Sequence, residues 1–242
     1  MLRPRHRHGD VIEVAGVRVV LKVNRQARRV SVRVDASRNE VVAVARSERG
    51  LAQAVAFANE RAIWIQSHLI NRPKETPFAP GSIIPFRGKS LRLDHKPGSS
   101  AARLIDDLFD PHILSGGEGD AYARRIERLL RREAHRVLSE RTEAHATALG
   151  LKVPKVSIGD PASRWGSCTP SLGSIRYSWR LILAPDDVLD YVAAHETAHL
   201  IHADHSPDFW RVVHGLVGDE KRFRKWLKRE GMALHAIGRA AP

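Results

Sequence analysis

From Val11 to Arg46 apolar and polar positions alternate, as in "VIEVAGVRVVLKV" and "RRVSVRVDASRNEVVAVA". A period of two with many valines predicts strands, and the turn signals Ala15-Gly16 and Ser37-Arg38-Asn39 make them a β-meander. Leu51, Val55, Ala58, Ala62, Ile65 and Leu69 then recur at helical spacing, predicting one amphipathic helix that ends before Pro73. Short alternations return in "GSIIPFRGKSLRLDHKP" and "ARLIDDLFDPHILSGG", a second β segment cut by glycine and proline. After "SGGEGD", residues 115–120 and the best candidate boundary, the period becomes 3.6. Ile126, Leu129, Leu130, Val137, Leu138, Ala144 and Ala148 form one face of a long helix stopped by Gly150. "VPKVSIGDPASRWGSCTPSLGSIRYSWRLIL" reads as a strand and a hairpin. A helix from about Pro185 follows, with Asp186 and Asp187 in its first turn, and a last helix runs from the cap Ser206 to Gly231.

The expected fold is α+β: a β-rich N-terminal region with one helix over 11–116, and a region over 120–235 where a β-hairpin packs on a helix flanked by long helices. The two regions are also compatible with one continuous domain. Residues 1–10 read as a basic flexible N-terminus and 236–242 as a tail, and no internal repeat is visible.

With 242 residues, 43% of them hydrophobic, the chain can bury a real core in one large or two small domains. No apolar run approaches the roughly 18 residues of a membrane span, and none follows the basic start "MLRPRHRHGD", so a cytoplasmic protein is expected. A single cysteine, Cys168, excludes an intramolecular disulfide and a multi-cysteine zinc knuckle, leaving histidine and carboxylate as metal ligands. The formal charge of +13 suits a nucleic-acid, anionic-lipid or phosphorylated partner. The arginines are dispersed and lack interleaved aromatics, however, so an arginine-rich composition accounts for the charge equally well.

Five of the thirteen histidines lie between positions 195 and 214, within or just after "YVAAHETAHLIHADHSPDFW". His195, Glu196 and His199 spell H-E-x-x-H on a predicted helix. Residues four apart share a helical face, so the two imidazoles can hold one Zn2+ while Glu196 takes a proton from water polarised there. Tyr191, Val192, Ala194, Ala198, Leu200 and Ile201 make this helix apolar on most sides, and a buried helix does not accept a glutamate without a partner. A catalytic zinc keeps three protein ligands and one open position. His202 shares the face but stands about 4.5 Å further along the axis than His199, a hard reach from the same helix. If the helix breaks near "HADH", the returning chain brings His205 under the metal; His205 is therefore favoured over His202, with Asp208 third.

"RWGSCTPSLGSIRYSWRLILAP", followed by the histidine segment, resembles the YgjP-type metallopeptidase-like family of bacterial proteins, distant relatives of the SprT and WLM zincins. The pattern W-G-S-C, then I-R and W-R-L, then H-E-x-x-H and H-S-x-x-F-W matches the C-terminal half closely and the N-terminal half only in general character. The resemblance implies a zincin-like fold, a zinc-dependent peptidase acting on peptide or protein, zinc ligands His195, His199 and His205, and Glu196 as acid/base. Thr197 replaces the family's usual leucine. The ten-residue offset from His195 to His205 equals metzincin spacing, but His202 stands where metzincins carry glycine, and Met232 is no Met-turn.

Enzymes of this type bind an extended peptide beside an edge strand, and "RWGSC" with "IRYSWR" is the strand pair for that role. Gly166 would admit a substrate backbone and Trp165 would wall a pocket, whereas Trp179 reads better as core. Cys168 and Ser167 have no base in sequence reach and read as packing residues. His214, Arg211, Tyr177 and Arg176 are candidates to stabilise an oxyanion, and Asp190, Asp204 and Asp208 to orient a ligating imidazole. Two rival functions fit the same motif: a metal-dependent nucleotide or phosphoester hydrolase, and a non-enzymatic zinc-stabilised nucleic-acid-binding module. A protease recruited to DNA by its basic surface lies between them.

Overall fold

A computed structural model describes residues 6–35, 40–70, 75–98, 100–107, 110–161 and 163–239. The chain divides into two units, Met1–Arg72 and Pro73–Pro242. The architecture is mixed α+β, with three small sheets among the described residues. Among the described residues no helix is long and apolar enough to cross a membrane.

In the first unit β1 (Val11–Val14), β2 (Val17–Val23), β3 (Ser31–Asp35) and β4 (Glu40–Ala45) form a sheet in the order β1-β2-β4-β3. The β1–β2 hairpin turns at Ala15-Gly16, both with positive φ (51° and 79°), the two-residue geometry whose twist suits a hairpin. The sheet is not the meander expected from the alternation, because β2 and β4 pair in parallel. The turn signal at Ser37-Arg38-Asn39 lies outside the described residues. Val19, Leu21, Val41, Ala43 and Ala45, on one face by the period of two, bury against Leu51, Ala54 and Ala58 of α1 (Leu51–Glu60). The single helix expected over 51–69 is broken: α1 ends at Arg61 (φ −98°, ψ 13°), and α2 (Ala62–Ile70) restarts beyond it. The described part of the N-terminus is tied to the sheet, Gly9 N donating to Leu21 O at 2.8 Å and Val23 N to His8 Nδ1 at 2.9 Å.

The second unit opens with β5 (Ile83–Phe86), β6 (Lys89–His95), β7 (Arg103–Ile105) and β8 (His112–Ser115), in the order β5-β6-β8-β7 with β6 and β8 parallel. This repeats the topology of β1–β4, down to a turn at Arg87-Gly88 with φ 51° and 82°. Sequence comparison within the chain misses the repeat because backbone pairing, not side-chain identity, is what recurs. Ser115–Asp120, the candidate boundary, lies inside this unit. Gly116 N donates to Ser100 O and Gly117 N to Gly98 O, and a Cβ on Gly116 would meet Gly98 O at 2.1 Å, so the segment is a packed junction.

The long helix α3 (Gly119–Ala148) packs Tyr122, Ile126, Leu129, Leu130, Ala134, Val137 and Leu138 into the main core. Gly150 (φ +67°) ends it as expected: its N–H bonds Thr147 O and that of Leu151 bonds Ala146 O, the Schellman pattern. Then β9 (Lys155–Gly159), β10 (Gly166–Thr169) and β11 (Ser174–Ser178) form a sheet in the order β10-β11-β9, which leaves β10 at an edge. A 3-10 turn at Trp179–Leu183 leads to α4 (Asp186–Ala198). Arg180 in that turn is buried, forks onto Asp160 at 2.7 and 3.2 Å, and donates to Leu234 O and Ile237 O. The final segment is two helices, not one, because Gly218 (φ +76°) ends α5 (Pro207–Val217) before α6 (Lys221–Ala236) begins. Gly231, read as a stop, is interior to α6, where a Cβ would meet the Trp165 ring at 2.8 Å. Ile237 is buried and pairs with Thr76, so the described part of the expected tail is also held.

Candidate active site

The site is built on α4, buried on nearly every side and stapled at its start by Arg87, which forks onto Asp186 at 2.6 and 2.8 Å. That carboxylate pair sits at the positive end of the helix, where acidic groups are favoured. Thr197 is fully buried and spends its hydroxyl on Ala193 O at 2.8 Å. The helix ends at Ala198 with His199 as its cap, and the chain turns through 199–206 before Ser206 caps α5 by accepting from Phe209 N at 3.4 Å.

That early break separates the four histidines. The ligating atoms of His195, His199 and His205 lie within 4.8 Å of one another, and Nε2 of His195 faces Nε2 of His205 at 3.2 Å. His202 does not join them. Its backbone carbonyl lies 3.0 Å from His199 Nδ1; a carbonyl only accepts, so Nδ1 donates and Nε2 is the ring nitrogen left to face a metal. Burial, then the neighbouring imidazoles His199 and His205, push His195 down to about 3. Burial followed by His199 lowers His205 as well. Imidazoles that converge in this way suit a metal ion, and His195 Nδ1 is buried with no hydrogen-bond partner among the described residues. Phe209 supports the three rings at centroid distances of 5.0, 4.5 and 4.8 Å, and Trp210 lies 5.9 and 5.7 Å from His195 and His205. Sequence reasoning gave neither aromatic a role, although both stand in the quoted "SPDFW".

Glu196 is 6% exposed. Burial pushes its carboxyl up to about 7, with Arg164 pulling the other way. Its side chain lies on Gly166: a Cβ there would come within 2.6 Å of Glu196 Cγ and Oε1 and 2.7 Å of Cδ. The space over Gly166 therefore belongs to the glutamate, not to a substrate backbone as the sequence suggested. Arg164, exposed and two residues upstream, was also missed; an isolated arginine in an arginine-rich chain carries no signal.

The remaining candidates disperse. Tyr177 is fully buried, its hydroxyl 2.9 Å from Thr142 Oγ1, and so belongs to the core. Trp165 packs on α6, 5.0 Å from the His235 ring. Trp179 is core as expected. Arg211 is exposed and pairs with Asp208 at 2.7 Å. Arg176 covers Gly159, where a Cβ would meet its guanidinium at 2.5 Å. His214 contacts the Glu220 carboxylate. Of the carboxylates expected to orient an imidazole, Asp190 bonds His145 at 2.9 Å, Asp204 caps Ser206 N, and Asp208 holds Arg211. Burial and then Glu196 push the Cys168 thiol up to about 11, which keeps it protonated and unreactive.

Residues 28–230 match the profile of the YgjP-like metallopeptidase domain. Among solved structures the chain is similar to the metallopeptidase zymogen of Pyrococcus abyssi abylysin, at 25% identity over 40% of this chain and 95% of that one, with a TM-score of 0.36. No curated protein matches. Because the matched profile runs through both units and takes in the histidine cluster, the chain belongs to the YgjP-like family of metal-dependent peptidases.

Proposed function

We propose that this metallopeptidase holds one zinc ion with His195, His199 and His205 and uses Glu196 as its general base. The observation that carries the proposal is the convergence of three imidazoles, their ligating atoms within 4.8 Å of one another, on the helix that also carries the buried Glu196 carboxylate. Zinc bound there supplies Lewis acidity and brings water's pKa toward neutrality. Glu196, held against Gly166, accepts the proton of the attacking water and returns it to the amine as the C–N bond breaks. The free edge of β10 offers main-chain groups to an extended peptide beside Glu196.

The test measures bound metal in the wild type and in Glu196→Gln, then assays both on denatured protein and on nucleoside triphosphates. Expected are equal zinc in both and proteolysis reduced by about 10² to 10⁴ in the variant. A zinc-free wild type overturns the proposal. Hydrolysis of nucleotides alone selects a phosphoester hydrolase, and zinc without either activity selects a structural site.

A further inference from the structure

We propose that the first unit binds the phosphodiester backbone of duplex nucleic acid in a basic groove on the sheet face turned away from α1. The proposal is independent of the peptidase chemistry. Met1–Arg72 holds fourteen Lys and Arg against six Asp and Glu, so under a third of the chain carries +8 of the net +13. The charge that looks dispersed in sequence is thus concentrated by the division into units.

Strand register then gathers part of it. Val19, Leu21, Val41, Ala43 and Ala45 face α1, so the residues between them face the other way. Lys22 and Ser31 both pair with Val44, and Arg33 pairs with Val42, which sets Lys22, Ser31, Val44 and Arg33 on that opposite face. The loop after β2 adds Arg28 and Arg29. It is shaped by Asn24, whose side chain accepts from Gln26 N at 3.0 Å while its carbonyl accepts from Ala27 N at 2.9 Å. His8 completes the rim, its Nδ1 occupied by Val23 N. The result is an open groove of about 490 Å³ whose lining includes Lys22, Arg28, Arg29 and Arg33 and, among the described residues, no acidic one. Lys22 has Glu40 at 4.0 Å. Among the described residues no carboxylate pairs with the three arginines.

The lining also says which anion fits. Among the described residues its lining holds no Phe, Tyr or Trp to stack a base, and its one ring is the His8 imidazole, so it suits a backbone rather than a mononucleotide or an unpaired strand. It is concave and presents no large apolar side chain beyond Val23 and Val44, which disfavours a lipid surface. A row of guanidinium and ammonium groups suits successive phosphates, with affinity set by counterion release.

The experiment titrates the full chain against fluorescent duplex DNA and duplex RNA of mixed sequence between about 50 and 200 mM salt. Binding should be insensitive to base sequence and fall steeply with salt. Arg28→Ala, Arg29→Ala and Arg33→Ala should each weaken it severalfold and flatten the log-log salt slope by about 1. Lys225→Ala, an exposed cation on α6, should leave affinity and slope unchanged. No duplex binding at low salt overturns the proposal. So does an equal effect of all four substitutions, which would reduce the binding to net charge. Binding to phosphatidylserine vesicles or inorganic phosphate but not to duplexes would assign the groove to another anion.

Discussion

The His199 Nδ1–H donates to the backbone oxygen of His202 at 3.0 Å, so removing the His202 side chain leaves that hydrogen bond in place. His202→Ala should therefore bind metal as tightly as the wild type, while His205→Ala loses it by at least about tenfold, read by competition with a chelating dye. Glu196 makes a second prediction. In the metal-free protein its pKa rises from 4.5 to about 7, so the folded state holds the proton more tightly than the unfolded chain. Stability tied to that proton is fully present below about 4.5 and is lost as pH climbs through about 7. The melting temperature of chelated Glu196→Gln should accordingly gain on the wild type across this window and level off above it. His195 works in the opposite sense: its folded pKa of about 3 lies below 6.5, so stability falls as pH drops below 6.5. That loss is common to both proteins and cancels in the difference.

At the scale of elements, α4 and β10 meet where Glu196 lies on Gly166. A methyl group there must displace the carboxylate, since real Cβ atoms do not approach to 2.6 Å. Gly166→Ala should keep its metal and lower kcat by about 100-fold, the scale of a misplacement near 1 Å, with little change in KM. In Glu196→Asp, one methylene shorter, the same substitution should cost far less; an equal loss in both backgrounds would point to substrate docking instead. The helices were largely legible from their spacing, and the caps at Gly150 and Ser206 stand where the residue types place them. The breaks at Arg61 and Gly218 were not. Arg61 interrupts an apolar period that runs on through it, and Gly218 follows a helix already assigned a later stop. The parallel pairing of β2 with β4 was equally hidden, because alternation predicts which face a residue takes and not which strand lies beside it.

Among the described residues there are two separate apolar clusters, one in each unit. All three candidate ligands belong to Pro73–Pro242, so metal should stabilise that unit alone. Calorimetry of the chelated protein should show two transitions, with zinc raising the larger by about 2.7 kcal/mol at a hundredfold excess over Kd and leaving the other in place. A single transition that moves as a whole would contradict this. The candidate boundary at 115–120 falls inside the second unit: glycine marks both linkers and tight packing, and contacts of Gly116 and Gly117 with Gly98 and Ser100 tell them apart.

What the sequence determined alone was local. H-E-x-x-H sets two imidazoles and a carboxylate on one turn of helix, because side chains four apart share a face. The tertiary structure decided which further histidine joins them, by ending α4 at Ala198 and returning the chain onto Phe209. It also gave Gly166 to Glu196 and withdrew Tyr177 into the core. These outcomes depend on which residues distant in sequence exclude one another from the same space, and no periodicity along the chain encodes that.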